Sequence, residues 1–179
     1  MTAPGDVVAF WVEAGPSKWF AKDDAFDAEF RRRFEADHLA TARRERDDWM
    51  GTPEGALALC LLLDQFPRNC FRDTGHAFAT DPLAREIARR AIALGHDQAL
   101  PEDLRPFLYL PLQHSEDIDD QRQSLALFGA LTTPDADKWA RHHHDIIARF
   151  GRFPHRNRAL GRVTTPEEAA FLEADGFTG

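Results

Sequence analysis

The chain has little cysteine, a single tyrosine, no basic excess and no long hydrophobic run, and these shortages narrow what it can be. Cys60 and Cys70 are its only cysteines, one inside an apolar stretch and one just past its end. Two thiols so placed make neither a disulfide framework nor a metal quartet, so a reducing cytoplasm is the expected setting. A formal net charge of -8 lacks the basic face that general binding to nucleic acid or an anionic membrane needs, although a local basic pocket is still open to an acidic protein. The longest apolar run, Gly55 to Leu63, falls far short of the roughly 20 residues that cross a bilayer. Asp6 and Glu13 interrupt the apolar residues near Met1, where no basic n-region stands either, so no signal peptide is expected. Alternating strand patterns are missing as well. The remainder is 179 residues, 43% hydrophobic and 29% charged. That composition predicts one soluble, cytoplasmic all-α domain over residues 1–179, without a nucleic-acid or membrane partner.

The stretch that organises the chain is Thr52 to Asn69, TPEGALALCLLLDQFPRN. Thr52 is an N-cap and Pro53 sits at the first helical position, where its missing N–H costs nothing. Leu57, Leu59, Leu61, Leu62 and Leu63, with Ala56, Ala58 and Cys60, make the segment apolar on every side, so other helices must surround it. Pro67 cannot continue a helix and disfavours the α region for Phe66, which predicts a central buried helix over 52–65. Asp64 then stands poorly solvated at the negative end of the helix dipole and needs a donor, with Arg68 the nearest arginine.

About eight helices with short loops are expected around it. Asp23 or Asp24 caps a helix to about Glu45, whose apolar stripe is Phe26, Phe30, Phe34 and, after a gap, Leu39. Asp81 with Pro82 opens another, closed by Gly95 as a left-handed C′ residue. Pro101 to Leu112, with Pro106 and Pro111 inside, reads as a kinked or two-piece helix. Ser115 is expected to cap a helix whose apolar part is Leu125, Leu127 and Phe128, and Thr133-Pro134-Asp135 to start one that Gly151 stops. Thr165 and Glu168 form a capping box before a last short helix with Phe171 and Leu172.

Phe66-Pro67-Arg68-Asn69 is echoed by Phe153-Pro154-His155-Arg156-Asn157, which predicts two helices ending in the same chemistry. Arg68, Arg152 and Arg156 offer forked donors suited to carboxylate or phosphate, while Asn69 and Asn157 donate and accept. Two readings stand side by side. In one, these groups cap orphan carbonyls and pair with Asp64. In the other, they converge with His114 and Glu116 on a polar pocket for an anion. His114 beside the acids of a first helical turn also has the makings of a general base. The run Glu116 to Asp120 lacks the glycine and terminal glutamate of a calcium loop, and His142-His143-His144 point about 100° apart on a helix, so neither predicts a metal site. The histidine triple is expected to be a solvated face, and no cofactor is implied.

Phe10-Trp11 with Lys18-Trp19-Phe20, LLLDQFPRN at Leu61 to Asn69, Phe78-Ala79-Thr80-Asp81, Tyr109 to Glu116 and Gly151 to Asn157 together resemble a bacterial family known as domain of unknown function 924. The likeness runs from about Val7 to Phe171. Cys60 departs from it, where members often carry a bulkier aliphatic residue. The resemblance implies a tetratricopeptide-like, right-handed helical array and carries no established activity. The leading expectation is therefore a helical binding module. Asp64, Arg68, Asn69, His114, Glu116, Arg152, His155, Arg156 and Asn157 would hold an anionic small molecule or peptide, or part of a protein partner. One alternative is a hydrolase-like enzyme with His114 or His155 as base and a carboxylate to orient it. Another is a homo-oligomer joined through Trp11, Trp19 and Phe20. The oligomeric state and the ligand's identity are left open.

Overall fold

Residues 2–175 are described by a computed structural model, and they are helical, with no strand among them. They divide into two compact units. The first runs through Arg72 and again from His76 to Pro111; the second takes Asp73–Gly75 and the chain from Leu112 onward. No helix among the described residues is long and apolar enough to cross a membrane.

In the first unit, α1 (Pro4–Ala14) and α2 (Pro16–Trp19) precede the long α3 (Asp24–Ala42). Asp23 caps α3, its carboxylate accepting from the Ala25 and Phe26 N–H groups. The buried stripe of α3 continues from Phe26, Phe30 and Phe34 to His38, four residues further on, and not to Leu39, which is 41% exposed. The i+4 step holds the side chain on the same face, whereas one residue more rotates it away. Phe10 of α1 stacks on Phe26 and Phe30 at centroid distances of 5.2 Å. Trp11 and Trp19 are buried beside them, the Trp19 indole N–H donating to the Trp11 carbonyl at 2.7 Å. Of the three aromatics expected to form a surface, only Phe20 is exposed.

The central element begins as expected, with Thr52 accepting from the Gly55 N–H at 3.0 Å to start α4 (Pro53–Cys60). Position 55 must be glycine: a Cβ there would lie 1.9 Å from the Trp49 carbonyl oxygen. Leu57, Leu59, Leu61, Leu62 and Leu63 are at most 1% exposed, and each contributes roughly 1.5–3 kcal/mol by burial.

The helix does not end near Gln65. It widens into a π-helical turn, Leu61–Gln65, and continues as α5 (Phe66–Cys70) through Pro67. The Phe66 N–H donates to the Leu61 carbonyl, five residues back. Pro67 supplies no N–H to the carbonyls four and five residues before it, those of Leu63 and Leu62. Side chains from other elements satisfy both. The His38 ring nitrogen Nδ1 lies 2.8 Å from the Leu62 oxygen, and the Thr80 hydroxyl donates to the Leu63 oxygen at 2.6 Å. A proline that would stop a free helix is thereby accommodated.

The unit continues with α6 (His76–Ala79), α7 (Asp81–Ala93), α8 (His96–Ala99) and the first residues of α9 (Pro106–Gln113), which follows a separate 3-10 turn, Glu102–Leu104. The N-cap of α7 is Thr80, not Asp81, which is already helical, and Thr80 makes no side-chain cap bond because its hydroxyl is spent on Leu63. Gly95 does take the left-handed conformation, at φ 72. Helices α1, α7 and α8 all pack on α4.

In the second unit, α10 (Ile118–Gly129) packs on α11 (Lys138–Phe150), and α12 (Pro166–Asp175) follows a 3-10 turn, Pro154–Arg156. Asp117, not Ser115, caps α10, accepting from the Asp119 and Asp120 N–H groups. Its buried stripe is Asp120, Gln121, Ser124 and Phe128, with Leu125 and Leu127 at the margin. Thr133 starts no helix: the chain turns through Asp135 at φ 57, and α11 begins at Lys138. Phe153 packs with Ile146 and Ile147 as the core of this unit, flanked by Ile118, Phe150 and Phe171. The chain thus forms more and shorter helices than the eight expected.

Candidate functional site

The two Phe-Pro stretches share residues but not conformation. Phe66 to Asn69 lies within a continuing helix, whereas Pro154–Arg156 is an isolated 3-10 turn behind the helix stop at Gly151. Asp64, Arg68 and Asn69 belong to the first unit, and His114, Glu116, Arg152, His155, Arg156 and Asn157 to the second.

In the first unit, the Arg68 guanidinium forks onto Asp81 at 2.8 and 3.0 Å. One of its nitrogens also lies 2.9 Å from the Asp64 carbonyl oxygen and 3.2 Å from the Asp64 carboxylate. Burial alone would favour the neutral guanidine, but the two carboxylates hold it charged. Gln65 donates to the other Asp64 oxygen at 2.6 Å. Asn69 donates to Asp27 at 2.7 Å. Thus Arg68 serves the carbonyl and carboxylate of the π turn.

The same turn carries a histidine pair absent from the expected site. A carbonyl only accepts, so His38 Nδ1 bears the proton given to Leu62, and its Nε2 is the acceptor. His76 Nε2 lies 3.0 Å from that nitrogen. His38 is fully buried, and burial lowers its pKa. The signal for it was the i+4 series on α3. The thiols have no comparable activation: burial pushes Cys60 up, and burial beside Asp27 pushes Cys70 to about 12.

In the second unit, Arg152 forks onto Glu168 at 2.6 and 2.9 Å and donates to the Val163 carbonyl. Glu168 closes the expected capping box with Thr165 and accepts from Asn157 at 3.1 Å. The bonds from Arg152, with those from Thr165 and Asn157, bring Glu168 down to about 2. Glu116 is held by a residue the sequence did not suggest: Arg162 forks onto it at 2.8 and 3.0 Å, and the Phe153 N–H donates to it at 2.8 Å. Burial would raise the pKa of Glu116, and Arg162 with the Phe153 N–H lowers it below the ordinary range.

Arg156 is only 6% exposed. It donates to the His114 carbonyl at 2.9 Å and lies over the Phe153 ring at 4.5 Å. His143 and His155 stand around the same ring, at centroid distances of 5.4 and 5.6 Å, and His114 lies 6.1 Å from His143. His143 corrects the expectation of a solvated histidine face. With Ala140, Ile146 and Ile147 it forms the buried stripe of α11, and its Nδ1 donates to the Trp139 carbonyl at 2.8 Å. Its position three and four residues before Ile146 and Ile147 is the helical spacing that marks it. Burial, then the charges of His114, His142 and Arg156, bring His143 to about 3. His114 and His155 are half-buried, so neither is sealed in the core. Among the described residues no group of three or more His, Cys, Asp or Glu side chains is arranged to hold a metal ion.

Residues 7–176 match the model of a family described as bacterial protein of unknown function (DUF924). The solved structure of a protein of unknown function, ATU0120, from Agrobacterium tumefaciens is similar: 56% identical, covering 96% of this chain and 97% of that one, with a TM-score of 0.93. No curated protein matches the chain.

Proposed function

The chain belongs to the bacterial family of unknown function DUF924, and from that premise we propose that its second unit is a binding module for an anion, a carboxylate or phosphate carried by a small molecule or peptide. The observation that carries the reading is the buried Arg156 guanidinium, set over the Phe153 ring with His143 and His155 around it and His114 alongside. An arginine fork beside imidazole N–H groups is a donor set for oxyanions. Burial first, and then the neighbouring His114 and the Arg156 guanidinium, hold His143 unprotonated, so a positive charge already stands beside it inside an acidic protein. Glu116, Arg152 and Asn157 act in this proposal as supports, since Arg162 and Glu168 engage them. The right-handed helical array implied by the family resemblance is its scaffold, and the cytoplasm its place.

The hydrolase-like alternative has less support. Glu116 is held ionised by Arg162 and the Phe153 N–H, which suits a clamp better than a proton carrier. The homo-oligomer alternative loses Trp11 and Trp19 to the core of the first unit.

Thermal denaturation in inorganic phosphate, in citrate and in chloride of equal ionic strength tests the proposal. A bound anion adds about 2.7 kcal/mol of stability at a hundredfold excess over Kd and so raises Tm, and the rise disappears in Arg156→Gln, which retains a donor for His114. It also lifts the His143 imidazole pKa, read by NMR. No anion-specific rise in the native protein refutes the proposal.

A further inference from the structure

The buried stripe of α10 is polar, and its polar atoms do not account for one another. Gln113, Gln121 and Ser124 are at most 4% exposed. The Gln121 amide nitrogen donates to the Gln113 and Ser115 carbonyls, both at 2.6 Å. That double bond to acceptors fixes the orientation of the carboxamide, because a flipped group would set oxygen against oxygen. The Gln121 oxygen therefore points away from those carbonyls. Among the described residues Gln113 Oε1, Gln121 Oε1 and Ser124 Oγ have no hydrogen-bond partner. Leaving one such atom buried and unmatched is costly, and leaving three in one neighbourhood more so.

Two of the three residues share a helix face by chain geometry, and the third is bonded to that face through its main chain. Gln121 and Ser124 are three residues apart on one helix, so their side chains share its buried face. Gln113 is joined to Gln121 through its own carbonyl. Two carboxamide oxygens accept only, and a hydroxyl both donates and accepts. We infer that an internal water molecule binds here, donating one hydrogen to each glutamine oxygen and accepting the hydrogen of Ser124. Three bonds are the usual complement of a buried water. A cation fits the set less well, since the hard ions take six or more oxygen ligands. The water would brace the Gln121 carboxamide, whose nitrogen already ties α10 to the main chain on both sides of His114, the residue whose own carbonyl Arg156 holds. The inference is independent of the anion proposal, because it uses none of that donor cluster's side chains.

High-resolution crystallography and a double-mutant cycle test it. Density is expected within 3.2 Å of all three oxygens, with a cross-peak between water and the Gln121 side-chain amide protons in a rotating-frame NMR experiment. Ser124→Ala and Gln113→Met should each lower Tm by roughly 2–4 °C, and the double variant by less than the sum, because both act on one shared molecule. Additive losses would overturn the inference. So would density with five or more oxygen neighbours, or a Ser124 hydroxyl turned onto the Asp120 carbonyl with no density beside it.

Discussion

The imidazoles of His38 and His76 meet nitrogen to nitrogen, Nε2 to Nε2, at 3.0 Å. The direction of that bond is dictated on the far side of the His38 ring, where the Leu62 carbonyl takes the Nδ1 proton and leaves Nε2 as the acceptor. His38→Phe retains the ring stack on Phe66 but strands the Leu62 oxygen, and should cost about 1–3 kcal/mol in urea denaturation at pH 7. His76→Ala, at a half-buried position, should cost less. The ring nitrogens of His38, read by NMR at neutral pH, are expected to show a neutral ring protonated at Nδ1. Protonation at Nε2 instead would remove this account of the π turn.

Pro67 and Thr80 should be energetically coupled. Thr80→Val leaves the Leu63 carbonyl without its donor and is expected to cost about 1–3 kcal/mol. Pro67→Ala restores an N–H four residues after that carbonyl. In the Pro67→Ala background the Thr80→Val loss should therefore fall to less than half, measured as a double-mutant cycle. Equal losses in both backgrounds would mean that the hydroxyl is not replacing the missing amide.

Acid should weaken the second unit through His143. Its folded pKa, about 3, lies below the unfolded value of 6.5, so the unfolded chain takes up a proton that the fold refuses. The sign follows: this contribution is complete above pH 6.5 and is lost as pH falls towards 3. Between pH 6.5 and 5 the loss is about 2 kcal/mol. His143→Leu should flatten the stability profile over that interval, and an unchanged slope would assign the loss to other groups.

A second acid limb lies lower. Glu168 is depressed from 4.5 to about 2, so its contribution is present above pH 4.5 and fades as pH falls towards 2. Glu168→Gln leaves Arg152 and the Thr165 N–H with a poorer acceptor. It should lower the melting temperature at pH 7 and erase the dependence between pH 4.5 and 2. A retained acid limb in that variant would point to another carboxylate.

The legible parts of the fold are those set by local chemistry. Thr52-Pro53, Asp23 and the Thr165–Glu168 box act within one turn of themselves, and each appears where sequence spacing predicts it. The apolar run of α4 is likewise buried as its composition requires. What could not be read is set by distant partners. Thr80 is 17 residues from Leu63, and His38 is 24 from Leu62, yet these two bonds carry a helix past Pro67. Arg162 holds Glu116 across 46 residues, so a carboxylate that looked available for chemistry is engaged. His143 is a different case: it is the middle of three adjacent histidines, and only its i, i+3, i+4 series with Ile146 and Ile147 sets it apart as the buried one.

The π turn also has a consequence for rotational phase. Each residue of an α-helix advances about 100° around the axis, and a π turn holds one residue more than the helix needs to close its bonds. Everything after Gln65 is therefore rotated by about one residue relative to the face set by Leu57 and Leu61, and α4 and α5 form one rod with two azimuths. Deleting a single leucine from Leu61–Leu63 should regularise the rod. The same deletion would leave Arg68 at its present azimuth, whereas closing the turn to α bonding without removing a residue would swing it about 100° away from Asp81, so the π turn acts as an angular spacer that aims the arginine.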